Sequence, residues 1–301
     1  MIYTVTLNPA IDYVMRLDEL RLGSTNRASE TAVQFGGKGI NVSCILRELG
    51  VESTALGFIA GFTGEALAAH LDALGISADL IRLSEGLTRI NVKLKTVQTH
   101  AEESEINAAG PAIPATALEA LLSKLNTLGE GDTLVLAGSV PPSLPRELYS
   151  RIMERLAGRG IRFVVDAEGS VLQAVLPHRP FLIKPNRAEL EGLAGRTLPT
   201  EADLQAAALA LQEAGARNVL VSLGGDGALL LDEYGKFHHA SAVEISAINT
   251  VGAGDSMVAG FLAGMERGYD YALKLGIAAG GATAASDGLA TQEDILKWMD
   301  Q

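Results

Sequence analysis

Strands in the second half of this chain are marked by apolar runs without alternation. Thr133–Ala137, Arg162–Asp166, Phe181–Lys184 and Asn218–Leu223 each read this way. Such runs suit parallel strands covered on both faces. Helical segments lie between them: Ala115–Leu128, Pro145–Ala157, Arg187–Leu193 and Ala202–Ala214, the last followed by Gly215, a good residue to end a helix. After Gly224-Gly225-Asp226-Gly227, the stretches Ala228–Asp232 and Glu233–Lys236 predict a hairpin that adds antiparallel strands at one sheet edge. Val251 to Met299 reads as mostly helical. The expected fold class is α/β, a doubly wound, mainly parallel sheet with helices on both faces.

The first third is patterned differently. Ile2–Leu7 and Thr54–Ile59 fit the main sheet. Tyr13–Val33 and Ala78–Ile106 instead carry short alternating runs, such as Ile90 to Lys95, which give one wet and one covered face. They predict a small β-sheet lid over one end of the main sheet, built from insertions at roughly 11–35 and 78–108 of a single domain spanning 1–301. There is no internal repeat and no low-complexity tract.

Composition narrows the function classes. The chain has 301 residues and is 48% hydrophobic, ample for one large core. Its net charge of −12 argues against a general nucleic-acid or anionic-membrane surface, so any phosphate must be met by a local cluster of bases. The single cysteine, Cys44, rules out an intramolecular disulfide and a cysteine-rich metal site, and it reads as a structural thiol. No secretory leader pattern and no apolar run of membrane-spanning length is seen, so a cytoplasmic protein is expected.

The most informative stretch is Asn249-Thr-Val-Gly-Ala-Gly-Asp-Ser256. Small residues after it (Ala259, Gly260, Ala263, Gly264) are spaced for a tightly packed helix, with Gly252 and Gly254 where a loop turns into its N-terminus. Backbone amides there have no intrahelical partner, so they can hold a phosphate. Asp255 inside that collar suits a base that removes a proton from an attacking hydroxyl. A Gly-rich loop with an N-terminal acid accounts for the segment equally well.

Further motifs occur in order: Thr6 to Asp12, Gly36-Gly37-Lys38-Gly39-Ile40-Asn41-Val42, Thr88-Arg89-Ile90-Asn91-Val92-Lys93, and Lys184-Pro185-Asn186-Arg187-Ala188-Glu189. From Thr6 to about Gly288 the chain resembles the phosphofructokinase B group of ribokinase-like sugar kinases, and most closely the branch acting on fructose 1-phosphate. The resemblance implies a ribokinase-like fold and an ATP- and Mg²⁺-dependent transfer of phosphate to the sugar's C6 hydroxyl, giving fructose 1,6-bisphosphate. It makes Asp255 the base and the amides of Gly252, Ala253 and Gly254 the anion hole. Asp12, Gly37 and Asn41 would hold sugar hydroxyls, and Arg27, Lys38, Arg89 and Ser139 the sugar's phosphate. Lys184, Asn186, Ser222, Gly224 and Gly227 would face the nucleotide, and Asn186 and Glu189 would organise Mg²⁺. Asn186 and Glu189 also have the spacing of a helix-capping box. Small residues Gly276, Ala279 and Ala282 would face the adenine, and the lid would pair with that of a second copy in a homodimer.

Two features depart from the pattern or compete with it. Ala167, in Asp166-Ala167-Glu168-Gly169, stands where relatives carry a hydroxyl, which puts a nucleotide role for that loop in doubt. His238 and His239 are expected to be exposed on the edge hairpin. Tagatose-6-phosphate kinase and 6-phosphofructokinase activities remain open, as does a non-catalytic sugar-phosphate sensor. A dinucleotide-binding dehydrogenase is excluded because Gly252-Ala-Gly254 lacks the third glycine of its fingerprint and does not follow the first strand. A P-loop NTPase is excluded by the absence of a Walker A sequence.

Overall fold

The computed structural model describes residues 1–96, 103–242, 248 and 250–299. Asn249, the β-branched residues Val243 and Ile245 that precede its motif, and the middle of the second lid segment lie outside the described residues.

Two sheets organise the described residues. The larger has nine strands: β1 (Ile2–Thr6), β4 (Ser53–Ala60), β5 (Ser77–Leu83), β8 (Thr133–Ala137), β9 (Arg162–Asp166), β10 (Leu182–Ile183), β11 (Asn218–Ser222), β12 (Ala228–Leu231) and β13 (Phe237–Ala240). Their order is β13-β12-β11-β10-β9-β8-β1-β4-β5. Strands β11 to β5 pair in parallel, and the β12–β13 hairpin adds the two antiparallel edge strands. The smaller sheet, order β3-β2-β6-β7, contains β2 (Ala10–Leu17), β3 (Glu30–Gly36), β6 (Arg89–Thr96) and β7 (Glu103–Ile106).

The apolar strands serve two cores. In β8, Leu134 and Leu136 join one cluster and Val135 and Ala137 the other. The first is covered by α3 (Ala115–Leu125), α4 (Leu148–Arg155), α5 (Gly169–Val175), α6 (Arg187–Ala194) and α7 (Glu201–Glu213). The second is covered by α1 (Lys38–Glu48), α8 (Ala253–Gly264), α9 (Tyr269–Ala284) and α10 (Gln292–Met299). Helix α2 (Gly61–Ala73) closes a third, smaller cluster around Ile40, Ile59 and Leu67. Helix α8 lies against α9 because its interface is small. A β-carbon on Gly260 would stand 2.5 Å from the Leu275 carbonyl oxygen.

One expected boundary moves. Residues 77–83 do not belong to the lid; β5 pairs with β4 along its length as an edge of the main sheet. Its mixed polar and apolar positions suit an edge strand that is only partly covered, with Leu80 packing on one face and Ile81 and Leu83 on the other. The second lid segment therefore begins at Arg89. A second correction concerns His238, which is 6% exposed. Its Nδ1 meets Asp270 Oδ1 at 2.6 Å and its Nε2 meets Asp232 Oδ2 at 2.8 Å. His239, on the opposite strand face, is exposed as expected. Pattern alone could not reveal that Asp232 and Asp270 cover one side of this edge strand.

Strand order reverses around β1, which pairs with β4 on one side and β8 on the other. In an open α/β sheet, ligands bind beyond the carboxyl ends of strands at such a point. Asn8 after β1, Ser139 after β8, Asp166 ending β9, Lys184 after β10 and Ser222 ending β11 all meet there.

Candidate active site

Two connected cavities lie at that point. A polar cleft of about 570 Å³ runs between the lid and the strand ends. An adjoining pocket of about 530 Å³ opens between α8, α9 and the loop after β11. Asn186, Ser222, Thr250 and Gly254 line both.

Asp255 sits in the first turn of α8 and is 5% exposed. Gly252 caps that helix with φ 81°, a left-handed conformation that side chains resist, and this lets the chain turn sharply into the helix. The first helical backbone bond runs from Ser256 N–H to the Gly252 carbonyl, so the amides of Ala253, Gly254 and Asp255 precede it. That of Ala253 reaches back to the Thr250 carbonyl at 3.3 Å. The Asn41 side-chain amide donates to Asp255 Oδ2 at 2.8 Å. Burial and the negative charge of Asp166 push the Asp255 carboxyl up to about 7, against the opposing pull of Asn41, Lys38 and Lys184. A carboxyl balanced near neutrality is suited to general-base work.

The cations are held by Asp166, which is 2% exposed. Lys38 Nζ stands 3.3 Å and Lys184 Nζ 3.6 Å from its Oδ1. Burial alone would lower the Lys38 ammonium, but Asp166, with Asp255, Glu189 and Glu168 behind it, holds it above its ordinary value. Lys184 also borders the start of α8: a β-carbon on Gly254 would lie 3.3 Å from its Nζ. The helix terminus and two ammonium groups thus concentrate positive potential beside Asp255.

On the lid side, Asp12, Asn91 and Arg89 project from one face of β2 and β6. The Asn91 side-chain amide donates to Asp12 Oδ1 at 2.8 Å, and Lys93 Nζ pairs with Asp12 Oδ2 at 3.1 Å. The Arg89 guanidinium donates to the Asn8 carbonyl at 3.2 Å and the Ala108 carbonyl at 3.4 Å. Partial burial lowers its affinity for protons, with Asp12 pulling the other way.

Most of the expected site residues converge. Asp12, Gly37, Lys38, Asn41, Arg89, Ser139, Lys184, Asn186, Glu189, Ser222, Gly252, Gly254 and Asp255 line the cleft, while Ala253, Gly224 and Gly227 line the adjoining pocket. Arg27 does not join them; it is exposed in the loop between β2 and β3. Asn186 and Glu189 complete a reciprocal capping box on α6. Glu189 N–H donates to Asn186 Oδ1, and Asn186 N–H donates to Glu189 Oε2, both at 2.8 Å. Among the described residues, no group of three or more His, Cys, Asp or Glu is arranged to hold a metal.

The side of α9 that lines the adjoining pocket is not the one expected to face adenine. Ile277, Gly280, Gly281 and Ala284 line the pocket, whereas Gly276, Ala279 and Ala282 are buried on the helix's inner side. Both sets are small and helically spaced, so composition could not choose between them. Trp298 on α10 closes the pocket against Gly281, and nothing in the local sequence marks it. Lys93 and Asp166 were also missed. Alternation of Arg89, Asn91 and Lys93 was the available signal for the first. Ala167 turns into the core beside Asp166, so the missing hydroxyl says nothing about the carboxylate. Cys44 is half-buried on α1, with burial pushing its thiol up to about 12, in keeping with an unreactive group.

Comparison with known proteins agrees with this geometry. A family model described as pfkB family carbohydrate kinase matches residues 5–295. A 1-phosphofructokinase of Bacillus subtilis (strain 168) is 42% identical over 303 residues, which covers all of this chain and 98% of that protein. A D-tagatose-1-phosphate kinase of Bacillus licheniformis is 36% identical over 292 residues, 96% of this chain and 94% of that one. The crystal structure of phosphofructokinase-2 from Escherichia coli in complex with substrates and products superposes with a TM-score of 0.93 at 29% identity, covering 99% and 98% of the two chains. With motifs, fold and full-length similarity in agreement, the chain belongs to the pfkB family of carbohydrate kinases.

Proposed function

We propose that this kinase transfers the γ-phosphoryl group of ATP to the C6 hydroxyl of fructose 1-phosphate, giving fructose 1,6-bisphosphate and ADP. The observation that carries the reading is Asp255, a buried carboxyl poised near 7 at a helix start between a cation-lined polar cleft and a largely apolar pocket. The apolar pocket suits adenine and the cleft suits a phosphorylated polyol. Arg89 and Lys38 would meet the sugar's own phosphate, and Asp12 and Asn41 its hydroxyls. The C6 oxygen attacks the γ-phosphorus, its proton passes to Asp255, and the bond to the ADP oxygen breaks. Amides of the α8 start, with Lys38 and Lys184, stabilise charge spread over the transferred oxygens.

Glu189 keeps one carboxylate oxygen free of the cap and Asn186 Oδ1 a remaining lone pair, which fits Mg²⁺ held largely through water, since Mg²⁺ keeps much of its hydration shell. When bound, the ion would neutralise nucleotide phosphate charge. A cytoplasmic location goes with ATP as donor, and cell fractionation checks it.

The lid supports a homodimer. Register puts Ile11, Tyr13, Val33, Ile90, Val92 and Ile106 on the face opposite Asp12, and Val33, Ile90 and Ile106 are 51%, 42% and 63% exposed. A second copy covering that face explains an apolar surface that water would otherwise meet. Val33→Asp should then shift the light-scattering mass toward the monomer; an unchanged mass removes the lid from the interface.

The substrate assignment draws on the relatives named for fructose 1-phosphate and tagatose 1-phosphate chemistry. These two sugars carry phosphate at C1 and differ only in configuration at C4. A coupled assay comparing fructose 1-phosphate, tagatose 1-phosphate, fructose 6-phosphate, tagatose 6-phosphate and ribose tests it. The expected order puts fructose 1-phosphate first in kcat/KM and ribose far behind, because a sugar without phosphate forgoes the charge-assisted contacts to Arg89 and Lys38. Faster turnover of a 6-phosphate would overturn the substrate. Absence of turnover with every sugar would favour a sensor.

A further inference from the structure

We infer that Lys93 is a positioning residue for the sugar: it fixes the Asp12 carboxylate and neutralises the lid's acidic pair, so that an anionic sugar can dock. The inference rests on Asp12 being a sugar contact, as proposed above.

Lys93 is 4% exposed although it lies in a sheet only four strands wide. A lysine is rarely buried to that degree unless it is paired. Its ammonium has two carboxylate partners, Asp12 Oδ2 at 3.1 Å and Glu105 Oε1 at 3.4 Å. Asp12 comes from β2 and Glu105 from β7, the strands on either side of β6, so the contact ties three lid strands together. The other oxygen of Asp12 accepts from Asn91 at 2.8 Å, and Asn91 Oδ1 in turn accepts from Ala108 N–H at 3.2 Å. Both Asp12 oxygens are therefore held, each with acceptor capacity remaining for a hydroxyl. Asp12, Asn91, Lys93 and Glu105 all line the cleft.

Charge gives a second reason. On the lid side of this cleft Asp12 and Glu105 repel a sugar phosphate, in a chain whose net charge is already −12. Glu105 is only partly buried, and although that burial favours its neutral form, Asn107 and Lys93 hold it below the usual carboxylate range. It stays an anion at neutral pH. One buried cation between two carboxylates leaves this trio with a single net negative charge instead of two. Arg89, four residues earlier on the same strand face, can then act on the incoming phosphate.

The test is a comparison of Lys93→Met, Lys93→Arg, Asp12→Asn and the double variant Lys93→Met/Asp12→Asn. Methionine keeps most of the buried volume, and thermal melting checks that each variant folds. Lys93→Met should raise the sugar-phosphate KM roughly 10- to 100-fold, the loss expected for one charge-assisted contact, with the ATP KM unchanged. Calorimetric titration of the sugar phosphate without nucleotide should show the same loss, and Lys93→Arg should recover part of it. In the Asp12→Asn background the Lys93→Met effect should shrink to a fewfold at most, because Lys93 acts through Asp12. An unchanged sugar KM, an equal rise in both KM values, or full additivity with Asp12→Asn would each overturn the inference. The sugar used is whichever wild type turns over fastest, so an error in the substrate assignment leaves this test intact. If Asp12→Asn itself leaves sugar binding unchanged, the proposed role of Asp12 fails first, and the inference falls with it.

Discussion

Replacing Asp255 by asparagine should make the protein a far poorer catalyst and a more stable fold at the same time. Asparagine keeps the shape of the side chain and can still accept the hydrogen bond from Asn41, now at 2.8 Å from Oδ2. It cannot take a proton. Loss of a general base costs about 10²–10⁴ in kcat with little change in KM. Stability moves the other way because the folded protein holds the Asp255 carboxyl at about 7, against 3.8 for an unperturbed one. That gap of about 3 units corresponds to roughly 4 kcal/mol of destabilisation by the ionised group. A raised folded value means that the native state binds the proton more tightly than the unfolded chain. Its contribution to stability is therefore present at low pH and is lost as pH rises through about 7. Asp255→Asn removes this loss, so its melting temperature should exceed that of wild type clearly at pH 8 and much less at pH 5. The companion assay is the wild-type pH–rate profile, where kcat/KM should fall tenfold per unit below an apparent value near 7. Near-normal kcat in the variant would remove Asp255 from the chemistry. Lower stability at pH 8 would refute the account of a buried, strained carboxylate.

Three other predictions follow from the same geometry. Arg89→Ala should raise the sugar-phosphate KM roughly 10- to 100-fold and spare the ATP KM; equal loss of both would move Arg89 from the sugar to lid folding through its contacts with Asn8 and Ala108. Glu189→Gln retains an oxygen for the Asn186 backbone bond, so helix α6 and the melting temperature should be preserved while the Mg²⁺ concentration for half-maximal rate rises; an unchanged Mg²⁺ titration would leave only the capping role. Trp298 is the sole tryptophan and lines the apolar pocket, so ATP should change its fluorescence and the sugar phosphate alone should not. A flat emission signal on ATP titration would take adenine out of that pocket.

The sequence by itself determined the α/β class, the alternation from Ala115 onward, the antiparallel edge hairpin and the helix start at Gly252. These are local matters: apolar runs, turn residues and capping positions carry their own physical reasons. It also marked the capping box of α6, although not whether the pair would serve the cap, a metal ion, or both. Tertiary structure decided what depends on register and on neighbours far along the chain. Edge strand β5 and the lid strands look alike in sequence because both are only partly covered, and only pairing with β4 separates them. The pocket-lining face of α9 is not the expected one, because small residues serve equally for packing against α8 and for lining a pocket. Lys93 reads as one more charge on an alternating strand until β2 and β7 bring Asp12 and Glu105 to it. Asp166 gains its meaning from Lys38 and Lys184, which are 128 and 18 positions away and meet it only at the ends of adjacent structural elements. Ionic partners of this kind leave no periodic trace, since their energy depends on distance in space and on burial, and neither is written in the order of residues.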